Sequence, residues 1–393
     1  GTNTDGSGTA PGSFSAGDVF IVRNGSELST NGALILTSTA INNVTLRINN
    51  GGTLTASHSI SFVNGGVGTS FIIENNGYYI HNLSTNIATT VLTTDNPDFQ
   101  TGSHFVINTS GSHTNPIGAV FYNFELNGGS VVTIPSTTLY IDGTLTIPTN
   151  NFLQLTNAAS SNIIAGGGSF AASGSGTLRI ATGAGTPLPA GVTWPFTVEY
   201  NRAAGAQTIS AGTYSNLNAT GGNRTIGSGS TVTLTGTFTP GAGTFFLSGS
   251  TIEFAQNGTL NIPNLPYHNL TISGTGTKTM TSDLTIEGAL VISNSNADLD
   301  INGNTLTLNG NGSSFTGDLL GSSTSNLVIG GTLGSSPTIK FHTGANTLRD
   351  LTLNRTGASA GVTLGSDITI VRRLNLTNGN LNTANHILTL QSS

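Results

Sequence analysis

The side chains best suited to chemistry lie in one short segment, DLDINGN, which covers residues 298–304. Alternate residues of a strand point to the same face, so Asp298 and Asp300 are predicted to lie side by side, and Asn302 and Asn304 continue the row. Two carboxylates roughly 5–10 Å apart can hydrolyse a glycosidic bond, and a row of carboxylate and amide oxygens can hold a weakly bound Ca²⁺ ion. The same pattern is also that of an ordinary solvated strand face, which is the interpretation we favour.

The other acidic and imidazole candidates are dispersed. Asp95 and Asp98 in DNPD could form a loop ion site, but an Asx turn is the simpler prediction. The histidines show no HxH or HExxH spacing of the kind found in metal sites. We expect His268 and His342 to point outward, and a histidine pair that meets across neighbouring turns of the chain stays an alternative. The histidines are His58, His81, His104, His113, His268, His342 and His386.

Aromatic side chains offer one further type of site. Tyr78, Tyr79 and His81 could stack on a carbohydrate, whereas Trp194 in VTWPF is predicted to pack in the core. The chain has no cysteine and no GxSxG motif. Its 11 lysines and arginines are scattered along the sequence, with the exception of the adjacent pair Arg372-Arg373. Nucleophilic catalysis and a cationic lyase site are therefore not predicted. We expect no enzymatic activity, no catalytic, cofactor-binding or metal-binding residue, and no cofactor.

Short strands must position all of these side chains. The recurring unit is an apolar-x-apolar triplet flanked by Gly, Asn, Ser or Thr, and no window shows helical periodicity. Period-two alternation places Leu and Ile on one face and mostly Thr or Arg on the other. Strands of roughly three to five residues, interrupted about every 6–10 residues, suit a coil that turns several times per rung. Examples are Leu34-Ile35-Leu36, Leu46-Arg47-Ile48, Leu145-Thr146-Ile147, Leu284-Thr285-Ile286, Leu306-Thr307-Leu308 and Leu388-Thr389-Leu390.

Longer repeats become visible when the triplets are aligned. Leu284-x-Ile286 matches Ile368-x-Ile370, and in both copies a second triplet begins six residues later. An anchor pair of apolar residues precedes each block, and these pairs are Phe124/Leu126, Leu217/Ala219, Leu270/Ile272 and Leu351/Leu353. The predicted copies cover about residues 105–155, 196–247, 252–308 and 339–390.

Such a unit cannot bury its apolar face alone, so neighbouring units must stack on it. The predicted fold is all-β. It is a right-handed parallel β-helix, or β-solenoid, with apolar side chains in inward ladders and Gly, Asn and Pro at the corners. We expect one continuous solenoid over residues 1–393, opened by a Gly/Ser/Thr-rich lead-in of residues 1–17, with about 18–25 residues per coil. A series of β-sandwiches is the alternative, although sandwich strands are usually longer.

Composition limits the classes of binding partner and the location that we expect for the protein. Charged residues are 7% of the chain and the net charge is −6, whereas a typical domain has roughly 25% charged residues. Nucleic acid is not expected to bind, because it needs clustered Lys and Arg. Membrane insertion is not expected either, because no apolar run reaches the roughly 18 residues of a spanning helix. Few charges, with many Thr and Asn, predict an extracellular or cell-surface location.

Several segments resemble secreted surface proteins of Bacteroidetes-type bacteria. The opening GTNTDGSGTAPGSFSAGDVFIVRNGSELS is similar to their N-terminal stretch, and residues 196–217, 267–292 and 374–390 look like their β-helix repeats. The resemblance implies an extracellular stalk, adhesin or surface layer exported by the type IX system, although the C-terminal sorting domain of that family is missing. It implies no functional residue, because the shared motifs are structural repeats.

These observations predict a non-enzymatic extracellular structural protein, which would be a stalk, a surface-layer component or a filament subunit. The end of a solenoid leaves backbone N–H and C=O groups unpaired, and neither terminus shows a capping segment. End-to-end self-association into a fibre is therefore predicted, and adhesion to surface glycans could accompany it. The alternative is a carbohydrate-binding or carbohydrate-degrading β-helix.

A third interpretation is an ice-binding solenoid, which needs a flat outward array of threonines. The Thr-x-Thr units that could supply it are Thr53-Leu54-Thr55, Thr144-Leu145-Thr146 and Thr305-Leu306-Thr307. Threonine is favoured on exposed strand faces for its β propensity alone, so these units do not require ice binding. The residues that interrupt the predicted array are Arg47, Glu253, Asp300 and Asn375.

Overall fold

The computed structural model describes residues 17–36, 44–61, 69–84, 96–114, 119–135, 138–156, 164–167, 169–183, 185–332, 337–357 and 360–391. Within these ranges the chain forms 44 strands and no helix, which confirms the all-β prediction. Accordingly, the described residues include no helix that could cross a membrane.

Most strands have two to five residues, and the others have 8 to 11 residues, which is longer than predicted. The first 22 are β1 Val19–Val22, β2 Glu27–Ser29, β3 Leu34–Ile35, β4 Thr45–Ile48, β5 Thr53–Ala56, β6 Ile60–Ser61, β7 Ser70–Ile73, β8 Tyr78–His81, β9 Asn96–Phe99, β10 His104–Ile107, β11 Gly111–Ser112, β12 Val120–Phe121, β13 Asn123–Leu126, β14 Val131–Ile134, β15 Leu139–Ile141, β16 Thr144–Ile147, β17 Phe152–Leu155, β18 Ile164–Gly166, β19 Ala171–Gly174, β20 Thr177–Ile180, β21 Val192–Tyr200 and β22 Gln207–Thr208. The others are β23 Gly212–Ala219, β24 Arg224–Thr225, β25 Thr231–Leu234, β26 Phe238–Pro240, β27 Phe245–Phe246, β28 Thr251–Phe254, β29 Leu260–Ile262, β30 Asn269–Ile272, β31 Gly276–Met280, β32 Leu284–Ile286, β33 Leu290–Ile292, β34 Ala297–Asp300, β35 Thr305–Leu308, β36 Ser314–Phe315, β37 Asp318–Leu320, β38 Asn326–Ile329, β39 Thr338–Ile339, β40 Thr347–Asn354, β41 Gly361–Leu364, β42 Ile368–Asn378, β43 Asn380–Asn382 and β44 Leu388–Leu390.

The chain divides into two compact units. The first contains residues 1–207 and 218–221, and the second contains residues 208–217 and 222–393.

In the first unit, the chain returns to the same sheets once in every turn. Its sheets have the orders β1-β4-β7-β9, β19-β16-β13-β10-β8-β5-β2 and β12-β15-β18. Neighbours in these orders lie two or three elements apart along the chain, and they pair in parallel. This is the arrangement of stacked parallel coils, as the sequence predicts.

The second unit is built in the same way. Its sheets have the orders β32-β35-β38-β40-β42-β44, β29-β31-β34-β37 and β39-β41-β43, again with parallel pairing. The predicted parallel β-solenoid is therefore confirmed.

The core consists of side chains that repeat in register from one turn to the next. On β38, Leu327 and Ile329 are fully buried, whereas Val328 between them is half-exposed. Leu327 lies in register with Leu306 on one neighbouring strand and with Leu351 on the other, and all three are 0% exposed. Each ladder side chain is thus covered by its equivalents in the adjacent turns.

The predicted anchor pairs have a structural meaning. In three copies, the first anchor residue pairs in register with the triplet that begins one full turn later. The partners are 21, 20 and 23 residues apart, which falls within the predicted length of a coil. The pairs are Phe124 with Leu145, Leu270 with Leu290, and Leu351 with Leu374.

Asparagine and glycine occupy turns between strands, as predicted. Asn76, Asn150 and Asn302 have φ angles of 52°, 63° and 53°, in the left-handed region that Asn tolerates better than most residues. Gly174 has a φ of +99°, and a Cβ atom there would lie 2.2 Å from the carbonyl oxygen of Ile147. Only glycine therefore fits that position without a shift of the backbone.

Three cations are buried in the second unit, which the sequence did not lead us to expect. Arg224, Lys278 and Arg355 are each 0% exposed. Lys278 Nζ donates hydrogen bonds to the carbonyl oxygens of Gly258 and Thr275, at 2.8 and 2.9 Å. The two arginines also donate to main-chain carbonyls. These donors give the buried cations hydrogen-bond partners at turns between strands, which offsets part of the cost of burying their charge.

We expect Leu327→Ala to lower the free energy of unfolding of the protein by about 2–5 kcal/mol, because it opens a cavity between two fully buried leucines. Urea titration followed by circular dichroism measures this change. Val328→Ala on the same strand is the matched control, and its effect should be much smaller since Val328 faces outward. Equal effects of the two substitutions would contradict the assignment of the inward ladder.

Candidate functional site

Asp298 and Asp300 lie on the same face of β34, as predicted, but they take part in different local structures. Asp300 Oδ1 accepts a hydrogen bond of 2.8 Å from the backbone N–H of Asn302, which is an Asx turn. Asn302 Nδ2 and Asn304 Nδ2 both donate to the carbonyl oxygen of Met280. The four side chains therefore do not form the single row of oxygen ligands that the sequence suggested.

Asp298 instead faces side chains from the next two turns. Parallel register pairs Asp298 with Asp318, and the bridge made by Leu319 to the following turn brings Lys340 and His342 alongside. Oxygen atoms of Asp298 and Asp318 and a ring nitrogen of His342 all lie within 4.8 Å of one another. We call Asp298, Asp318 and His342 the Asp298 cluster.

The two carboxylates of the Asp298 cluster have different partners. Asp318 Oδ1 lies 2.8 Å from Lys340 Nζ, and Asp318 Oδ2 lies 3.3 Å from His342 Nδ1. Within the described ranges, no hydrogen bond reaches the Asp298 carboxylate. Burial raises the pKa of Asp298 above its usual value, His342 and Lys340 oppose this rise, and Asp318 adds to it. Asp298 is thus a half-buried carboxylate whose negative charge is offset in part by Lys340 and His342.

The Asp298 cluster borders an open groove of about 520 Å³ in the second unit. Asp318, Lys340 and His342 line one part of this groove, and Asp367 and His386 line another. His386 Nδ1 lies 3.6 Å from Asp367 Oδ1, so the groove contains two Asp–His pairs. Sequence reasoning missed both pairs, because their members come from different turns. A search for Asp and His one coil length apart would have found them.

Tyr78, Tyr79 and His81, which the sequence offered as a possible carbohydrate platform, do not lie on one surface. Tyr79 and His81 alternate with Tyr78 along β8, so they point inward and are fully buried. The Tyr79 hydroxyl lies 3.2 Å from His81 Nδ1 inside the core. Tyr78 faces outward and stacks on His104, with ring centroids 4.1 Å apart. His104 in turn pairs with Glu125 of the next turn. One face of the Tyr78 ring is therefore already covered.

One histidine pair does meet across neighbouring turns, which confirms the alternative considered for these residues. His81 and His113 are both buried, and their ring centroids lie 5.2 Å apart in an edge-to-face arrangement. His342 is exposed and His268 is half-exposed, in keeping with their predicted outward orientation. Trp194 is fully buried, which confirms its predicted role in packing.

A second groove lies in the first unit. Its volume is about 440 Å³, and its lining includes Asp98, Asp142 and Tyr122, together with the hydroxyl-bearing residues Thr101 and Ser169. We call it the Asp98 groove. Asp98 and Asp142 are exposed, and Tyr122 is half-buried.

The acidic partner that the sequence suggested for Asp98 was Asp95. Asp95 lies outside the described residues, so the predicted Asx turn or ion site over DNPD stays a prediction.

The described Thr-x-Thr units do not continue from turn to turn. Thr53 and Thr55 are followed in register by Tyr78 and Ile80, and Thr305 is followed by Asn326. The other successors in register are Ala171 after Thr144, Ser173 after Thr146 and Val328 after Thr307. These ladders do not form the flat threonine array that ice binding needs.

The adjacent cations Arg372 and Arg373 do not form a basic patch. Arg372 Nε donates a hydrogen bond of 2.8 Å to Asp350 Oδ1, and its NH2 group contacts the other carboxylate oxygen. The hydrogen bond from Arg372 lowers the pKa of Asp350 below its usual value. Similar pairs join the outward faces of neighbouring turns elsewhere, including Arg179 with Glu199 at 2.8 Å.

Comparison of the chain with protein-family models, with curated proteins and with solved structures finds no match. The resemblance to secreted β-helix surface proteins of Bacteroidetes-type bacteria therefore stays a prediction.

The pair formed by Asp350 and Arg372 should stabilise the protein in a pH-dependent way. Because the folded-state pKa of Asp350 is lowered, its contribution is present above the unfolded-state value of about 3.9 and is lost as the pH falls through the folded-state value. We expect Asp350→Asn to be less stable than the parent at pH 6, with the difference closing below about pH 4. Urea unfolding at several pH values tests this. Arg23→Gln, which removes an exposed arginine of the first unit, is the control and should show no such trend. A difference between Asp350→Asn and the parent that persists unchanged to pH 2.5 would refute the prediction.

Proposed function

We propose that the protein is a non-enzymatic extracellular structural protein whose coils associate end to end, as in a filament, stalk or surface layer. The observation that carries this proposal is the turn formed by β42, β43 and β44. Two of its inward-register leucines, Leu376 and Leu390, are exposed, although the side chains with which they pair one turn earlier are buried.

Two ladder positions show the contrast. Leu376 pairs in register with Leu353, and Leu390 pairs with Ile370. Leu353 and Ile370 are 0% and 1% exposed, whereas Leu376 and Leu390 are 52% and 58% exposed. In the earlier turns, the equivalent side chains of these ladders are covered by the next coil. A coil from a second copy would bury the same apolar surface and continue the parallel hydrogen bonding.

The first described turn offers a surface of matching type. Phe20, Leu28 and Leu34 occupy inward positions in β1, β2 and β3, and each is only half-buried. A contact between this surface of one copy and the β42–β44 surface of another is heterologous, and repeated contacts of that kind form a fibre. The strands of both surfaces pair in parallel with their neighbours, which supports a parallel continuation of the stack.

The outward faces fit a structural role. They carry hydroxyl and amide side chains together with ion pairs that join neighbouring turns, such as Arg47 with Glu74 and Arg179 with Glu199. Low charge and abundant Thr and Asn favour an extracellular or cell-surface location. The resemblance to secreted surface proteins of Bacteroidetes-type bacteria points in the same direction.

We expect the purified protein to form fibres of uniform width in negative-stain electron microscopy, with a sedimentation coefficient that rises with concentration. The double substitution Leu376→Asp, Leu390→Asp should abolish this association, because it places charges in the apolar contact. The control is Asn375→Asp, Thr389→Asp, which adds the same charges at outward positions of the same strands. Circular dichroism verifies that both variants are folded.

Parent protein that stays monomeric at every concentration would refute end-to-end association. So would equal association of the two double variants, since the contact would then not involve the ladder leucines.

A second candidate function is carbohydrate binding, and the Asp98 groove favours it. Carbohydrate sites combine carboxylates and hydroxyls, which bond sugar hydroxyl groups, with an aromatic ring that packs on the sugar. Asp98, Asp142 and Tyr122 provide both types of group in one groove. Binding there would suit an adhesin, and hydrolysis would additionally need the two carboxylates to act as acid and base.

We expect Tyr122→Ala or Asp142→Asn to abolish binding to any array glycan that the parent protein binds. Tyr140→Ala is the matched control, because Tyr140 is exposed on β15 but does not line the groove. Titration calorimetry with the best array ligand measures the loss, and reducing-end assays of the same mixture separate binding from hydrolysis. Absence of any ligand for the parent, or equal loss with Tyr140→Ala, would refute this function.

A further inference from the structure

We propose that Asp298, Asp318 and His342 bind a divalent transition metal ion, such as Zn²⁺ or Co²⁺. The three residues come from three successive turns of the second unit and present two oxygen donors and one imidazole nitrogen. This site differs from the oxygen-only site that the sequence suggested, because Asp300 is held in its own turn and His342 takes part instead.

The geometry is close to that of a bound metal. The donor atoms all lie within 4.8 Å of one another. Zinc takes histidine nitrogen and carboxylate oxygen at about 2.0–2.2 Å in tetrahedral geometry, so two donors to one ion lie about 3.4 Å apart. The donors lie at most 4.8 Å apart, so side-chain rotations that bring them together by up to about 1.4 Å complete the site. His342 is exposed and Asp298 is half-exposed, so both side chains are free to make such rotations.

The donor types select the class of ion. Imidazole suits Zn²⁺, Cu²⁺ and Ni²⁺, whereas Ca²⁺ and Mg²⁺ take oxygen ligands. Three protein ligands leave coordination positions for water or another molecule. The groove beside the cluster is open, so those positions are accessible to solvent.

The electrostatics of the cluster also favour a cation. Asp298 and Asp318 are neighbours in register on adjacent parallel strands, which brings two negative charges together. The Asp298 carboxylate accepts no hydrogen bond within the part of the chain that the structure describes. A metal ion between the carboxylates would offset this repulsion and use the lone pairs that Asp298 leaves open.

Lys340 is the internal competitor for the same position. Its Nζ atom lies 2.8 Å from Asp318 Oδ1, and it also donates a hydrogen bond of 3.1 Å to the carbonyl oxygen of Thr316. The ammonium group can therefore keep one partner when a metal takes the carboxylate. Removal of this ammonium should strengthen metal binding at the cluster, because it takes away a positive charge and frees Asp318 Oδ1.

The test is equilibrium dialysis of the untagged full chain against Zn²⁺ and, separately, Co²⁺, with metal content measured by mass spectrometry. We expect one ion per chain. Asp298→Asn and His342→Gln should each weaken binding by at least about tenfold, the lower limit seen when even an outer-shell partner is removed. Lys340→Gln should tighten binding. Ca²⁺ at the same concentration should not compete.

Two substitutions serve as matched controls. Asp300→Asn removes a carboxylate two residues from Asp298, and His386→Gln removes the other imidazole of the groove, so neither should change the affinity. The proposal is overturned if the parent binds no metal, or if Asp298→Asn and His342→Gln bind as tightly as the parent. It is also overturned if His386→Gln weakens binding as much as His342→Gln does.

Discussion

The structure depends on one constraint: a coil cannot bury its own inward side chains. An inward leucine such as Leu327 is covered by Leu306 and Leu351 of the adjacent turns. Stability in such a stack is carried by contacts between neighbours. The same positions are therefore apolar in most turns, which is why the triplets recur along the chain.

The constraint also organises the outward face. Parallel register brings each outward side chain beside the residue one turn later, so polar groups meet across turns. The ion pairs and the Asp298 cluster follow from this placement. Inside the stack, polar groups also bond across turns. Lys278 Nζ, for example, donates hydrogen bonds to carbonyl oxygens at turns between strands. A charged residue in an inward register position can thus be accommodated where its charged group reaches carbonyl oxygens at a turn.

The sequence was sufficient to predict the fold class and the inward or outward direction of the ladder residues, since period two and stacking determine both. Strict use of that alternation would also have separated Tyr78 from Tyr79 and His81. The contacts across turns could not be predicted in the same way, because the coil length varies. Contacts one turn apart join residues separated by 18 positions at Thr251 and Asn269, 24 at Asp318 and His342, and 26 at Asn82 and Asn108. An uncertainty of several residues in the coil length moves a predicted partner to another position along the strand or to the other face.

The proposed metal site and the proposed structural role are linked by the geometry of the stack. Asp298, Asp318 and His342 belong to three successive turns, so an ion held by all three joins those turns at their outward face. A ligand that binds only the folded state adds its binding free energy to folding, and metal ligands brought together by folding do so strongly. Because stability in a solenoid is local to neighbouring coils, this gain would fall on the coils that the ion bridges. Those coils precede the β42–β44 turn, whose exposed leucines are the contact proposed for self-association. A metal ion there would stiffen the part of the stack on which a second copy is proposed to build, without taking part in the contact itself.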